Sequence, residues 1–133
     1  MPRPKQDVPT DREMEILQVL WANGPLGTQK IVTLLNQDRT KKLAYSSVHT
    51  ILSIMLKKGL LVKGQGNQKH ILSPAQSKEE IEAKLIKRLK QTVFGNSTMR
   101  LVTRALSTHA TSPKDLAKIQ ELLDTLEEKT RDD

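Results

Sequence analysis

The clearest chemical signal in this sequence is a predicted helix whose short polar side chains share one face. Residues Tyr45 to Lys58 read YSSVHTILSIMLKK, and a step of about 100° per residue groups the apolar side chains on one side. The polar side chains on the opposite side are Ser46, His49, Thr50, Ser53 and Lys57. Hydroxyl and imidazole groups can bond to base edges, and lysine can reach a phosphate. A helix that only contacts water would more often carry Glu, Lys or Gln there, so the pattern favours DNA readout over a solvated face.

Capping and stop signals place this helix third in the chain. The pair Thr10 and Glu13 is a capping-box pattern that opens a first helix, which ends before Gly24. Thr28 is the predicted N-cap of a short second helix. Gly59 ends the third helix.

A β-hairpin is predicted directly after the third helix. The segment LLVKGQGNQKHILSP reads as two short strands around GQGN. Three helices followed by a hairpin is the order of a winged helix-turn-helix, in which the third helix enters the major groove. Lys63 and Lys69 would then lie on the wing, although the hairpin could also be a plain connector. We predict a mainly α fold in which a winged helix-turn-helix, three helices plus a β-hairpin wing, precedes a helical C-terminal region.

The C-terminal half is predicted to contain three helices. Ser77 opens a long helix that is interrupted at 95–97, and a further helix runs from about Thr98 to Leu106. Ser112, followed by proline, starts the last helix. The final EEKTRDD is predicted to be a frayed polar tail. These helices carry more apolar surface than one small domain needs.

The positive charge is concentrated in the first half of the chain. Residues 1–74 contain 11 Lys and Arg against 5 Asp and Glu, residues 75–133 contain 11 against 10, and the net charge is +7. A basic half joined to a nearly neutral half favours a polyanionic partner. Because the chain has one Phe, one Trp and one Tyr, it lacks the aromatic platforms on which single strands stack. The predicted partner is therefore double-stranded DNA.

Several other classes are disfavoured. With no cysteine, disulfides, thiolate metal sites and thiol catalysis are ruled out. The spacing of His49, His70 and His109 fits no metal motif, and no nucleophile elbow accompanies the serines. We therefore predict no catalytic residue, no metal and no cofactor. Neither a membrane-spanning stretch nor a secretory signal is visible, so we expect no membrane insertion and a cytoplasmic location.

Three segments, MEILQVLW, VHTILSIMLKKGLL and FGNS, together with the leucine-rich last helix, resemble the penicillinase-repressor family from about Val8 to Lys129. The resemblance implies a homodimeric winged-helix repressor that binds an inverted-repeat operator. It implies a DNA-binding domain at 8–74 and a helical dimerisation domain at 75–129, and it adds Ser47 to the recognition helix. The predicted backbone-contacting lysines are Lys41, Lys42, Lys63 and Lys69. The predicted dimerisation residues are Ile81, Leu85, Leu89, Leu101, Leu116, Ile119, Leu122, Leu123 and Leu126.

The sequence also departs from the family pattern. Antibiotic-responsive members are cut by a regulatory protease at an Asn-Phe bond, and the corresponding bond here is Arg104–Ala105, which disfavours that mode of induction. Copper-responsive members use C-terminal cysteines, which this chain lacks. The wing reads Gln68, His70 and Leu72 where the family usually carries an Arg followed by aromatics. Ile54 occupies a position on the third helix that is often basic.

Other functions share these features. A winged helix can serve as a protein-interaction module, although a docking face should be more apolar than the Ser, His and Thr face of the third helix. A DNA-binding protein of this shape can also bind without sequence preference, or act as an activator. Sequence-specific repression is the predicted function.

Overall fold

The computed structural model describes residues 8–108 and 110–131; His109, one of the histidines considered above, lies outside them. Within these residues the elements run α1 (Asp11–Asn23), α2 (Thr28–Asn36), α3 (Tyr45–Lys58), β1 (Leu61–Lys63), β2 (Leu72–Pro74), α4 (Lys78–Thr92), α5 (Thr98–Thr108) and α6 (Pro113–Arg131). A hairpin after three helices and a helical remainder confirm the predicted fold class. The chain separates into two compact units, one ending at Arg88 and one starting at Leu89. The domain boundary predicted after residue 74 stays a prediction.

The first unit has one hydrophobic core, to which each of its first three helices contributes one face. The buried apolar side chains are Ile16, Leu17, Leu20, Ile31, Val32, Leu35, Val48, Leu52, Met55, Leu60, Leu61 and Leu72. In α3 these side chains recur at three- and four-residue spacing, so the stripe predicted to face inward does so. Full burial of a Leu, Ile or Val side chain stabilises by roughly 1.5–3 kcal/mol. This core therefore fixes the orientation of the opposite, polar face of α3.

Local signals in the sequence account for the ends of α1 and α3. At the start of α1, the amide N of Glu13 donates to Thr10 Oγ1 at 3.2 Å, and the amide N of Thr10 donates to Glu13 Oε1 at 2.8 Å, which confirms the capping box. At the end of α3, Gly59 has φ of 79°, a left-handed conformation that favours glycine. The amide N of Leu60 then donates to Met55 O at 2.9 Å, which closes the helix with a Schellman-type bond. The helix is thereby stopped just before β1, whose first residue, Leu61, is buried in the core.

The wing is an antiparallel hairpin that also pairs with the segment before α2. Strand β1 pairs with β2 so that Lys63 lies opposite Leu72. Leu72 and Leu26 exchange two backbone hydrogen bonds, of 3.0 and 2.8 Å. Residues 64–71 connect the strands and include a short 3₁₀ turn, Gly66–Gln68, so the connection is longer than a tight turn at GQGN. The pairing with Leu26 fixes the wing beside the start of α2.

The C-terminal helices begin with capping serines. Ser77 Oγ accepts from the amide N of Glu80 at 3.1 Å, and Ser112 Oγ accepts from the amide N of Asp115 at 3.1 Å. The prediction of a frayed tail from residue 127 is wrong up to Arg131, because α6 continues to that residue. Arg131 pairs with Glu127 one turn earlier at 3.2 Å, and no Gly or Pro interrupts the segment. Residues 132 and 133 of that tail lie outside the described part.

The helices of the second unit have little core of their own. No residue of α5 or α6 is buried in the described chain. Among the described residues, every helix is too short or too polar to cross a lipid bilayer.

Candidate nucleic-acid interface

The face of α3 opposite the core carries the polar side chains that the sequence pattern predicts for DNA contact. Ser46, Ser47, His49, Thr50 and Lys57 are exposed, and Ser53 is half-buried. Val48 and Met55 are fully buried on the other side. The structure therefore presents these six polar residues on one accessible surface, which we call the α3 face.

Two hydroxyl groups of the α3 face are already engaged with the helix backbone. Thr50 Oγ1 donates to Ser46 O at 3.0 Å, and Ser53 Oγ donates to His49 O at 3.1 Å. Each is a bond to the carbonyl four residues earlier, a known habit of Ser and Thr inside helices. The rings of Tyr45 and His49 stack with their centroids 6.3 Å apart and their planes 17° apart. These contacts hold the side chains of His49, Thr50 and Ser53 in defined positions.

A cleft separates the α3 face from the wing and from the start of α2. Its volume is about 480 Å³, and α3 contributes Tyr45, His49 and Ser53 to its wall. The wing contributes Lys63, Lys69 and His70, and α2 contributes residues 28–30. The structure thus brings residues predicted for base contact together with two lysines predicted for backbone contact.

Lys30 also lines this cleft, and the sequence analysis did not predict it as a site residue. It lies in the first turn of α2, where the positive end of the helix dipole disfavours a cation. That unfavourable placement is a signal that the sequence does contain, because a nearby anion would relieve it. Lys30 lies near the wing because Leu26 pairs with Leu72, and this distant contact could not be predicted from the sequence.

The lysines around the α3 face have no acidic partner among the described residues. Within residues 8–108 and 110–131, no carboxylate lies within ion-pair distance of Lys30, Lys41, Lys57, Lys63 or Lys69. Lys42 instead donates to the carbonyl of Asn36 at 2.5 Å, at the end of α2. Unpaired lysines on one surface raise its positive potential and are free to displace the counterions of a polyanion.

The two helices that border the cleft are also the ones that start without a side-chain cap. The N-cap residues of α2 and α3 are Gly27 and Ala44, and neither makes a side-chain cap bond. The other helices do have a side-chain cap bond at the N-terminus, made by Thr10, Ser77, Ser97 and Ser112. Alanine is a poor N-cap, and free first-turn N–H groups are a ready phosphate site. The two exceptions therefore occur at the helices that border the cleft.

A buried ion pair fixes α3 against α1. Glu13 is 3% exposed, and its two carboxylate oxygens accept from Lys58 Nζ at 3.0 and 3.1 Å. Asn36 supports the other end of α3, because its side chain donates to Leu43 O at 2.9 Å and accepts from the amide N of Leu43 at 2.8 Å. The α3 face is therefore held on rigid supports at both ends of the helix.

Three core-forming helices, a wing beside the exposed face of the third, and unpaired lysines around that face define a winged-helix protein of the DNA-binding class. A comparison with family models agrees with this geometry: the model described as Penicillinase repressor matches residues 9–125. The chain belongs to the penicillinase repressor family, whose members are DNA-binding transcriptional repressors rather than enzymes. A search of curated proteins found no match to this chain.

Proposed function

We propose that this protein is a homodimer that represses transcription by binding an inverted-repeat operator and excluding the transcription machinery. The observation that carries the proposal is the α3 face of hydroxyl and imidazole groups beside a cleft rimmed by unpaired lysines. In this proposal α3 lies in the major groove, and its N-terminal residues contact the base edges. The protein acts where the chromosome lies, in the cytoplasm.

The proposed complex divides its contacts between affinity and sequence choice. Lys41, Lys42, Lys57, Lys63 and Lys69 contact phosphates, and Lys30 joins them from the start of α2. The uncapped N-termini of α2 and α3 add backbone N–H donors to the same phosphate row. Each neutralised phosphate adds about 0.9 to the slope of log affinity against log salt concentration. Ser46, Ser47, His49, Thr50 and Ser53 supply base choice.

Exposed apolar side chains support the proposed dimer. Leu116, Leu122, Leu123 and Leu126 on α6 are each about half exposed in the single chain, and Leu89 is 41% exposed. Apolar surface repeated along a helix in this way is normally covered by a partner. Leu85, Leu101 and Ile119 are half-buried. Ile81 is 1% exposed within its own chain, so a second copy would gain little contact from it.

Cleavage at Arg104–Ala105 is not part of the proposed mechanism. The bond lies inside α5, and Arg104 O accepts from Thr108 Oγ1 at 2.6 Å. A protease needs an extended substrate, so this turn of helix would have to unwind before cleavage. Release from the operator therefore needs another trigger.

Selection of bound sequences from a random duplex pool tests the proposal. The full-length protein is used at about 150 mM salt, near physiological ionic strength. An inverted repeat whose half-sites are separated by about one helical turn, or a multiple of it, is the expected result. A single half-site would reject the dimer. No enrichment would reject sequence-specific binding and favour a protein-docking or nonspecific winged helix.

A further inference from the structure

We propose that Thr50 and Ile54 read an A·T base pair, with the Thr50 hydroxyl accepting from the adenine amino group and Ile54 contacting the thymine methyl group. This inference rests on the proposed function, because it assigns a base preference to the α3 face. It gives a role to Ile54, the one aliphatic side chain of α3 that does not pack in or against the hydrophobic core.

The first observation is the direction of the Thr50 hydroxyl. Its hydrogen is directed to Ser46 O at 3.0 Å, so the oxygen presents its lone pairs to whatever approaches the exposed face. A hydroxyl has one donor and two acceptor sites, and here the donor is already used. Ser53 is arranged in the same way toward His49 O. The two hydroxyls therefore face the groove as acceptors.

An acceptor can bond only to a donor on the base edge. In the major groove the donors are the adenine N6 and cytosine N4 amino groups, whereas guanine offers two acceptors and thymine offers one acceptor and a methyl group. A guanine or thymine oxygen opposite Thr50 would place two acceptors together unless the bond to Ser46 were broken. The Thr50 oxygen therefore selects adenine or cytosine.

The second observation is the exposure of Ile54. Its side chain is 43% exposed and lies one turn after Thr50, so the Cβ atoms of the two residues are about 5–6 Å apart. The apolar residues that surround it in sequence, Val48, Leu52 and Met55, are buried in the core. Ile54 is thus an apolar side chain at the edge of an otherwise polar face.

The two observations together select one base pair. An A·T pair presents an amino donor on one base and a methyl group on the other, while a G·C pair presents an amino group without a methyl group. Burying one methyl group against Ile54 corresponds to a roughly fourfold gain in affinity. Cytosine satisfies Thr50 but not Ile54, so adenine opposite thymine is the preferred pair.

Two random duplex pools test the inference, one synthesised with thymine and one with uracil in its place. Uracil keeps the pairing and the groove hydrogen-bond groups and removes only the methyl group. The wild-type protein should enrich an inverted repeat from the thymine pool. In the uracil pool one A·T position per half-site should relax to an equal preference for adenine and cytosine opposite Thr50, because only the methyl contact is lost. Ile54→Ala should show the same relaxation to adenine or cytosine with thymine present. Val62→Ala, which removes a similarly exposed apolar side chain on β1 (47%), should keep the preference for A·T.

Single substitutions then measure the effect. Uracil at that thymine of the enriched duplex should weaken wild-type binding roughly fourfold and leave Ile54→Ala unchanged. If wild-type protein enriches the same motif from both pools, or if Ile54→Ala keeps the full wild-type motif, the inference is overturned while the proposed function stands. If neither pool yields a motif, both are overturned.

Discussion

Two adjacent lysines at the end of α3 are expected to have separate roles, one in stability and one in DNA binding. Lys58 donates to both oxygens of the buried Glu13, whereas Lys57 is exposed and makes no ion pair among the described residues. Replacing each in turn with Met removes the charge and keeps most of the aliphatic stem. The two variants are matched controls for each other.

The structure sets the size of the expected stability loss. Lys58→Met leaves the Glu13 carboxylate buried with only the Thr10 amide, at 2.8 Å, as a donor. Removing one partner of a fully buried pair costs about 3–5 kcal/mol. The Lys58 side chain is 29% exposed, so water can replace part of the lost contact, and we expect a loss of about 2 kcal/mol. Lys57→Met should change the free energy of unfolding by less than about 0.5 kcal/mol.

Urea unfolding followed by tryptophan fluorescence measures this difference. The chain has one tryptophan, Trp21, and its Nε1 donates to Gln76 O at 3.2 Å within the same unit as the ion pair. Its fluorescence therefore reports the unfolding of that unit. Protein concentration must be held fixed, because association shifts apparent stability.

A double variant separates the ion pair from the capping box. Glu13→Gln keeps an oxygen for the Thr10 amide but buries no charge. Adding it to Lys58→Met should therefore restore about 1 kcal/mol relative to Lys58→Met alone. Equal stability of the Lys57→Met and Lys58→Met variants would refute the reasoning. The reasoning would also be refuted if Lys58→Met reduced the salt dependence of DNA binding and Lys57→Met left that salt dependence unchanged.

Three further predictions concern the α3 face, the wing and the proposed dimer. Thr50→Ala should weaken binding to the selected operator by about 1 kcal/mol, the size of one hydrogen bond, and hardly change binding to random duplex. Equal losses on the two DNAs would remove Thr50 from base readout. Lys63→Ala should weaken binding to both DNAs and reduce the slope of log affinity against log salt concentration by about 0.9. The control Lys118→Ala, on α6, should change neither the affinity nor this slope. An unchanged slope for Lys63→Ala would exclude a phosphate contact. Leu123→Asp should raise the dimer dissociation constant by about thirtyfold or more, because Leu123 is 52% exposed and burying the rest contributes about 1 kcal/mol in each copy. Sedimentation would measure the dissociation constant. The control is Ala117→Asp, on the opposite side of α6. A similar rise of the dissociation constant in both variants would count against the leucine stripe as the dimer contact.

The local elements of the first unit followed from the sequence because their signals are local. The capping box at Thr10 and the glycine at position 59 fix helix ends through contacts within a few residues, and α3 has the predicted bounds. The N-cap of α2 is Gly27 rather than Thr28, a shift of one residue. Here the wing pairing through Leu26, a distant contact, sets the backbone before the helix.

Parts of the interface could not be predicted because they depend on tertiary contacts. The approach of Lys30 to the wing needs the pairing of Leu26 with Leu72, and these residues are far apart in the sequence. The division of labour between Lys57 and Lys58 needs the position of Glu13 on another helix. A pattern of residue types can indicate a face, but the partners of each side chain are decided by packing.

The missing caps of α2 and α3 have a consequence for protein engineering. Adding a capping side chain, such as Ala44→Asp, would stabilise the folded chain by about 1 kcal/mol, and the same carboxylate would repel a phosphate at that helix start. A screen that rewards thermal stability alone would therefore enrich variants that fold better and no longer hold DNA. At the two uncapped N-termini, those of α2 and α3, natural selection for operator binding is expected to oppose selection for stability.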